Sequence, residues 1–198
     1  MGPIEGLWGA LIVVFALVGV VRGFLRELGV TTILIALLFA LNRLIPLLES
    51  FIRDGKLQSI GIAAFTGDPE ADQSTNMLLM LVFSLITIAA VFIAYQGETL
   101  VYEGNIPKFP TGTLLGLLVG VVNGYLITGT LWWMMDHYHY PIEKFGLIHP
   151  ETMTALARQI LEAKLLPLDL LGAGVESVDS LGLLPIILVV LIVLKVVR

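Results

Sequence analysis

There is no cysteine in the 198 residues. Disulfides, thiolate metal sites and thiol nucleophiles are therefore excluded, while the compartment stays open. Charge is scarce too, at 14% of residues against about 25% in an average soluble domain. What charge there is comes as 11 Lys and Arg against 16 Asp and Glu, a formal net of −5. Without a basic stripe for phosphates, nucleic acid is not an expected partner. No acid, base, nucleophile or metal-ligand set converges in the apolar segments, so the chain reads as non-enzymatic. No ionisable residue falls clearly inside a long apolar run either, which argues against a coupled ion path.

Apolar residues are in excess: 57% of the chain, with a mean hydropathy of +0.94. They arrive in long runs, the pattern of a membrane bundle rather than of a large soluble core. Gly6 to Val21 gives 16 residues closed by Arg22, whose stem extends the run while its charged end snorkels. The N-terminus carries Glu5 where a signal peptide would carry a base, and no cleavage site follows, so this run reads as a retained helix. Leu28 to Leu41 adds 14, Met77 to Tyr95 adds 19, and Thr111 to Met135 adds 25. Ser74, Thr75 and Asn76 are the N-cap candidates of the third run. A fifth run, Leu181 to Leu194, is short for a span but apolar on every face.

The expected fold is all-α: a polytopic bundle of four to five transmembrane helices plus an amphipathic surface helix. Residues 1–135 form the four-helix membrane domain, 136–180 an acidic extramembrane loop with the amphipathic helix, and 181–198 a fifth span. The first two helices are expected to form a tight antiparallel hairpin, with Gly23 at the break. The segment Asn42 to Asn76 is expected to hold a short helix around Leu47, Leu48, Phe51 and Ile52, then a turn at Gly67-Asp68-Pro69. In the later loop, Met153, Leu156, Ile160, Leu161 and Leu165 share a helix face that lies on the membrane surface or docks on the bundle.

Basic residues set the orientation. With the N-terminus outside, Arg22, Arg26, Lys108, Lys195 and Arg198 face inward in short segments. Arg43, Arg53, Lys56, Lys144, Arg158 and Lys164 are spread over longer outer ones. Charge density near the spans therefore predicts N-terminus out and C-terminus in the cytoplasm.

Four features carry candidate function. Gly112, Gly116, Gly120 and Gly124 recur every four residues and make one smooth helix face. With Gly19 and Gly23 they form either a packing groove within the bundle or an interface for self-association or another membrane subunit. Asn123 lies at the midpoint of its run and either hydrogen-bonds a neighbouring helix or lines a site. Trp132, Trp133, His137 and His139 form an aromatic interfacial anchor, or the imidazoles hold a metal, haem or chlorin. Asp68 and Asp72 form a solvated acidic loop or a calcium site.

The turn Val20-Val21-Arg22-Gly23-Phe24-Leu25-Arg26-Glu27 resembles that of the colicin V production (CvpA) family of bacterial inner-membrane proteins. In that family an Arg-Gly-Phe-x-Arg-Glu turn joins the first two helices, here Arg22, Gly23, Phe24, Arg26 and Glu27. The glycine-rich stretch Leu115 to Gly124 is similar to the family's fourth span, and the resemblance covers residues 6 to 135. It implies an accessory of toxin production or export and of envelope integrity, without catalytic residues. The competing expectation is a structural subunit of a respiratory or photosynthetic membrane complex, packing through the glycine face.

Overall fold

The computed structural model describes residues 4–66, 72–96, 102, 109–143, 153–172 and 183–196. Their regular structure is helical: α1 (Ile4–Arg22), α2 (Phe24–Arg53), a 3-10 turn (Gln58–Ile60), α3 (Gln73–Gln96), α4 (Thr111–His137), α5 (Ala155–Glu162), α6 (Pro167–Gly172) and α7 (Leu183–Val196). The first four long helices are each long and apolar enough to cross a bilayer. This is the all-α membrane bundle expected from the apolar runs. Large apolar side chains such as Leu7, Val13, Leu17, Leu85, Phe92 and Leu114 remain exposed on its outside, as suits contact with lipid.

Three local expectations give way. The second helix does not stop at Asn42; it runs 30 residues to Arg53, through Pro46. The residues expected to form a separate short helix are its last turns, Ile52 being buried in the core. Proline removes one backbone hydrogen bond, and packing around Ile45 and Ile52 outweighs that loss. The third helix begins at Gln73, with the Asp72 carbonyl accepting from the Asn76 amide at 2.8 Å. The three N-cap candidates therefore lie within its first turn. The Gly67-Asp68-Pro69 turn lies outside the described residues, as does Asp68.

The first two helices do not form the expected tight hairpin. Only Gly23, at φ +84°, separates them. α1 packs chiefly along α4 rather than against α2. The glycine repeat is the reason: Gly19 lies against Gly116 and Gly120, and Gly124 against Ile12 and Phe15. Buried Gly112 completes the row on α4. Without side chains in between, the two backbones approach closely, which is how helices associate where lipid is as apolar as leucine. The repeat thus packs inside the bundle.

A second apolar cluster closes the α1 N-terminus against the α4 C-terminus. Ile4, Trp132, Tyr140, Met153, Ala157 and Leu166 are buried together there, with Trp8 stacked edge-on to Trp132. α5 therefore docks on the bundle, capped by Thr154, whose hydroxyl accepts from the Ala157 amide. It ends at Glu162, and Lys164 turns left-handed at φ 51°, so Leu165 is not on its face. Beyond that turn the chain follows the side of α4. The Tyr125 hydroxyl donates to the Leu165 carbonyl at 2.5 Å, and Pro167 packs on Gly129. α7 is 14 residues, about 21 Å at 1.5 Å per residue. It lies along α2, tied by the Tyr102 hydroxyl, 2.9 Å from Thr32 Oγ1 and from the Leu191 carbonyl.

Candidate functional site

The one-residue break at Gly23 puts the C-terminal end of α1 and the first turn of α2 beside α4, with Phe24 next to Gly116. Glu27 is consequently in the first turn of α2 and faces the bundle. It is fully buried, and so is Asn123. Asn123 is 12 residues beyond Thr111 and 14 before His137, so it lies about 18–21 Å from either end of α4. A carboxylate therefore does occupy the interior, contrary to the reading that no ionisable residue does.

Its partners come from the three other long helices. Arg22 Nε, on α1, is 3.0 Å from Glu27 Oε1. Asn123 Nδ2, on α4, donates to Glu27 Oε2 at 2.8 Å and to the Glu27 carbonyl at 3.1 Å. The Tyr95 hydroxyl, on α3, donates to Oε2 at 3.2 Å. Thr31, one turn along α2, donates to Asn123 Oδ1 at 2.7 Å. Arg22 does not snorkel outward: Nη1 donates to the Tyr95 carbonyl at 2.6 Å, and the guanidinium lies 4.8 Å from the Tyr95 ring centre. A charge at this depth survives only when paired and hydrogen-bonded, and this one is both. Arg26 of the same turn motif is exposed and stays apart from the cluster.

The apolar runs do not reveal the cluster, because Glu27 stands in the turn, just before the run Leu28 to Leu41. The available signal was the spacing Glu27, Thr31, Leu34, Leu38, Leu41 and Ile45, a single helical stripe of which all but Thr31 are fully or nearly fully buried. Tyr95 carried no signal before the bundle was assembled.

A second polar region lies at the other end, where α2 ends, α3 begins and α4 ends. Glu49, Arg53, Thr66, Asp72, Asn76, Tyr138 and both imidazoles line a cavity of about 500 Å3 there. His137 Nε2 is 2.8 Å from Glu49 Oε1, and its ring stacks on Trp133 at 4.3 Å. Trp133 Nε1 donates to Asp169 at 2.7 Å. Trp132 is not an interfacial anchor: it is buried, and its Nε1 donates to the Tyr140 hydroxyl at 3.1 Å. His139 is exposed, in left-handed backbone at φ 59°. Asp72 accepts from the Thr66 amide and hydroxyl at 2.8 and 2.9 Å. Among the described residues no three His, Asp or Glu side chains converge as a metal set. Burial, then the facing charge of Glu49, pushes the Tyr138 phenol well above its ordinary range, and burial with Asp136 does the same to Tyr140.

No protein-family model matches this chain, nor does any curated protein or solved structure.

Proposed function

We propose that the chain is a non-enzymatic membrane scaffold of the CvpA type, serving the envelope or secretion from the bacterial inner membrane. One observation carries the reading. The turn on which the resemblance rests supplies Arg22 and Glu27 to the centre of the bundle, where they join α1, α2, α3 and α4. Glu27 Oε2 accepts from Asn123 and Tyr95, and Oε1 lies 3.0 Å from Arg22 Nε without a well-directed hydrogen bond, so the arrangement is suited to holding helices. The N-terminus lies outside and the C-terminus in the cytoplasm on this reading, as the basic residues favour.

The test is complementation in a bacterium lacking its own copy of such a protein. Wild-type chain should restore detergent and bile-salt resistance or toxin export, and Arg22→Gln should fail although it reaches the membrane. Restoration by a chain with Arg22 and Glu27 both replaced would refute the assignment. The alternative, a fixed subunit of a larger membrane complex, has to use another face than the glycine repeat, which α1 covers. Stable co-purification with stoichiometric partners after mild detergent extraction would favour it.

A further inference from the structure

We infer that the cavity at the α2–α3–α4 end is a binding site for a small zwitterion, one carrying an ammonium and a phosphate or carboxylate a few bonds apart. This goes beyond the scaffold reading and does not depend on it. Glu49 and Arg53 are four residues apart on α2, the spacing at which opposite charges on a helix normally pair with each other. Here they do not. Glu49 is held instead by His137 at 2.8 Å, and His137 is fixed in turn by its stack on Trp133. The Arg53 guanidinium is left lining the cavity with no ion pair to any described residue.

The wall thus presents a fixed anion and, one helical turn away, a cation unpaired among the described residues. A third group points the same way. Tyr138 is 2% exposed, yet its hydroxyl makes no hydrogen bond of acceptable geometry, although it lies near Glu49. A buried hydroxyl without a partner is destabilising relative to a satisfied one, and a ligand ammonium against Glu49 would supply that partner. Arg53 would take the acidic group in its planar fork. A lone anion would meet Glu49 unfavourably, and a lone cation would meet Arg53. Only a molecule with both charges satisfies both walls. The cavity is within the size range of small-molecule sites. It opens at the end of the bundle, so both a phosphoethanolamine lipid headgroup and a dissolved zwitterion can reach it.

The experiment uses the purified, delipidated full chain in a non-ionic detergent. It is titrated calorimetrically with three probes: short-chain phosphatidylethanolamine, short-chain phosphatidylglycerol and free O-phosphoethanolamine. Saturable binding of at least one ammonium-bearing probe is expected, with phosphatidylglycerol at least about tenfold weaker. Arg53→Gln, an exposed position that leaves the core intact, should weaken binding about tenfold or more, and Tyr138→Phe should weaken it several-fold. Equal binding of free O-phosphoethanolamine and the lipid would make the ligand a dissolved zwitterion; binding of the lipid alone would make it a headgroup. Both support the inference. Equal affinity for phosphatidylglycerol, an unchanged Arg53→Gln titration, or no binding by any probe would overturn it.

Discussion

Adding one methyl group at each glycine along the α1–α4 seam tests how the bundle is held together. A Cβ at Gly19 would strike the Gly116 carbonyl oxygen and lie 2.8 Å from the Gly120 Cα. At Gly116 it would lie 2.5 Å from the Gly19 carbonyl oxygen, and at Gly120 2.5 Å from the Phe15 carbonyl oxygen. At Gly124 the nearest atoms are 3.0 Å away, one of them the Phe15 side chain. Carbon atoms prefer about 3.5–4.0 Å, so the first three positions require the helices to part by roughly 1 Å. Backbone cannot yield as a side chain can, and overpacking of this kind costs about 1–3 kcal/mol. Against that stands the gain of about 1 kcal/mol from replacing glycine by alanine within a helix. Gly19→Ala, Gly116→Ala and Gly120→Ala should therefore each lose up to about 2 kcal/mol, Gly19→Ala the most, while Gly124→Ala changes little. Gly9 provides the control, because a Cβ there meets nothing within 4 Å; Gly9→Ala should be neutral or slightly stabilising. The assay is reversible unfolding of α1 from α4 in mixed detergent micelles, followed by Trp8 fluorescence, since Trp8 stacks on Trp132 of α4. Equal stability of Gly9→Ala and Gly19→Ala would refute the close-packed seam.

The central ion pair should respond asymmetrically. Glu27 is fully buried and the Arg22 side chain is 24% exposed, so Arg22→Gln strands a carboxylate without water and should cost roughly 3–5 kcal/mol. Glu27→Gln leaves a guanidinium that still reaches the Tyr95 carbonyl and solvent, and should cost clearly less; the reverse order in a melting experiment would sink the argument. Single cysteines report orientation cleanly because the chain has none of its own: a cysteine at exposed Gln58 should react with an impermeant maleimide in intact cells. One at exposed Phe109 should react only after lysis, and the opposite pattern would invert the proposed topology. Stability should also fall on the alkaline side. Tyr138 and Tyr140 ionise less readily folded than unfolded, so their contribution is complete below about pH 10 and is lost as pH rises above it. Tyr138→Phe together with Tyr140→Phe should flatten that decline, read as melting temperature against pH between 9 and 11.5.

The architecture was legible because hydropathy registers directly what lipid requires. Thr111 to His137 begins where Pro110 and the apolar run predict, and the glycine spacing marked the α4 face that α1 covers. Helix ends were harder to read. The second apolar run ends before Asn42, yet the helix goes on through Pro46, whose local cost is outweighed by the buried neighbours Ile45 and Ile52, which belong to one stripe with Leu38 and Leu41. The sites were least legible, because they are assembled from distant segments. Arg22 and Tyr95 are 73 positions apart, and Glu49 and His137 are 88. Trp132 and Trp133 are adjacent and were read as one anchor. Their rings divide between a buried cluster and the cavity rim, because neighbours on a helix point about 100° apart.

The place of the buried pair has a physical logic in the chain's own breaks. A helix end leaves backbone groups that the helix itself cannot satisfy. α1 ends and α2 begins at Gly23, and α3 ends near Tyr95, so three such ends meet in one region. The Gly23 amide donates to the Gly19 carbonyl at 2.9 Å, and the Glu27 amide to the Gly23 carbonyl at 3.2 Å, so hydrogen bonding continues through the break. Arg22, a cation at the C-terminal end of α1, takes the Tyr95 carbonyl at the end of α3. Glu27, an anion in the first turn of α2, receives Asn123 from the one long helix that continues past this point without a break. Each charge sits at the helix end whose dipole favours it. The two charges face each other at 3.0 Å while Arg22 also takes the carbonyl at the end of α3. The charged turn between two apolar runs is therefore where the ends of α1, α2 and α3 are tied to α4.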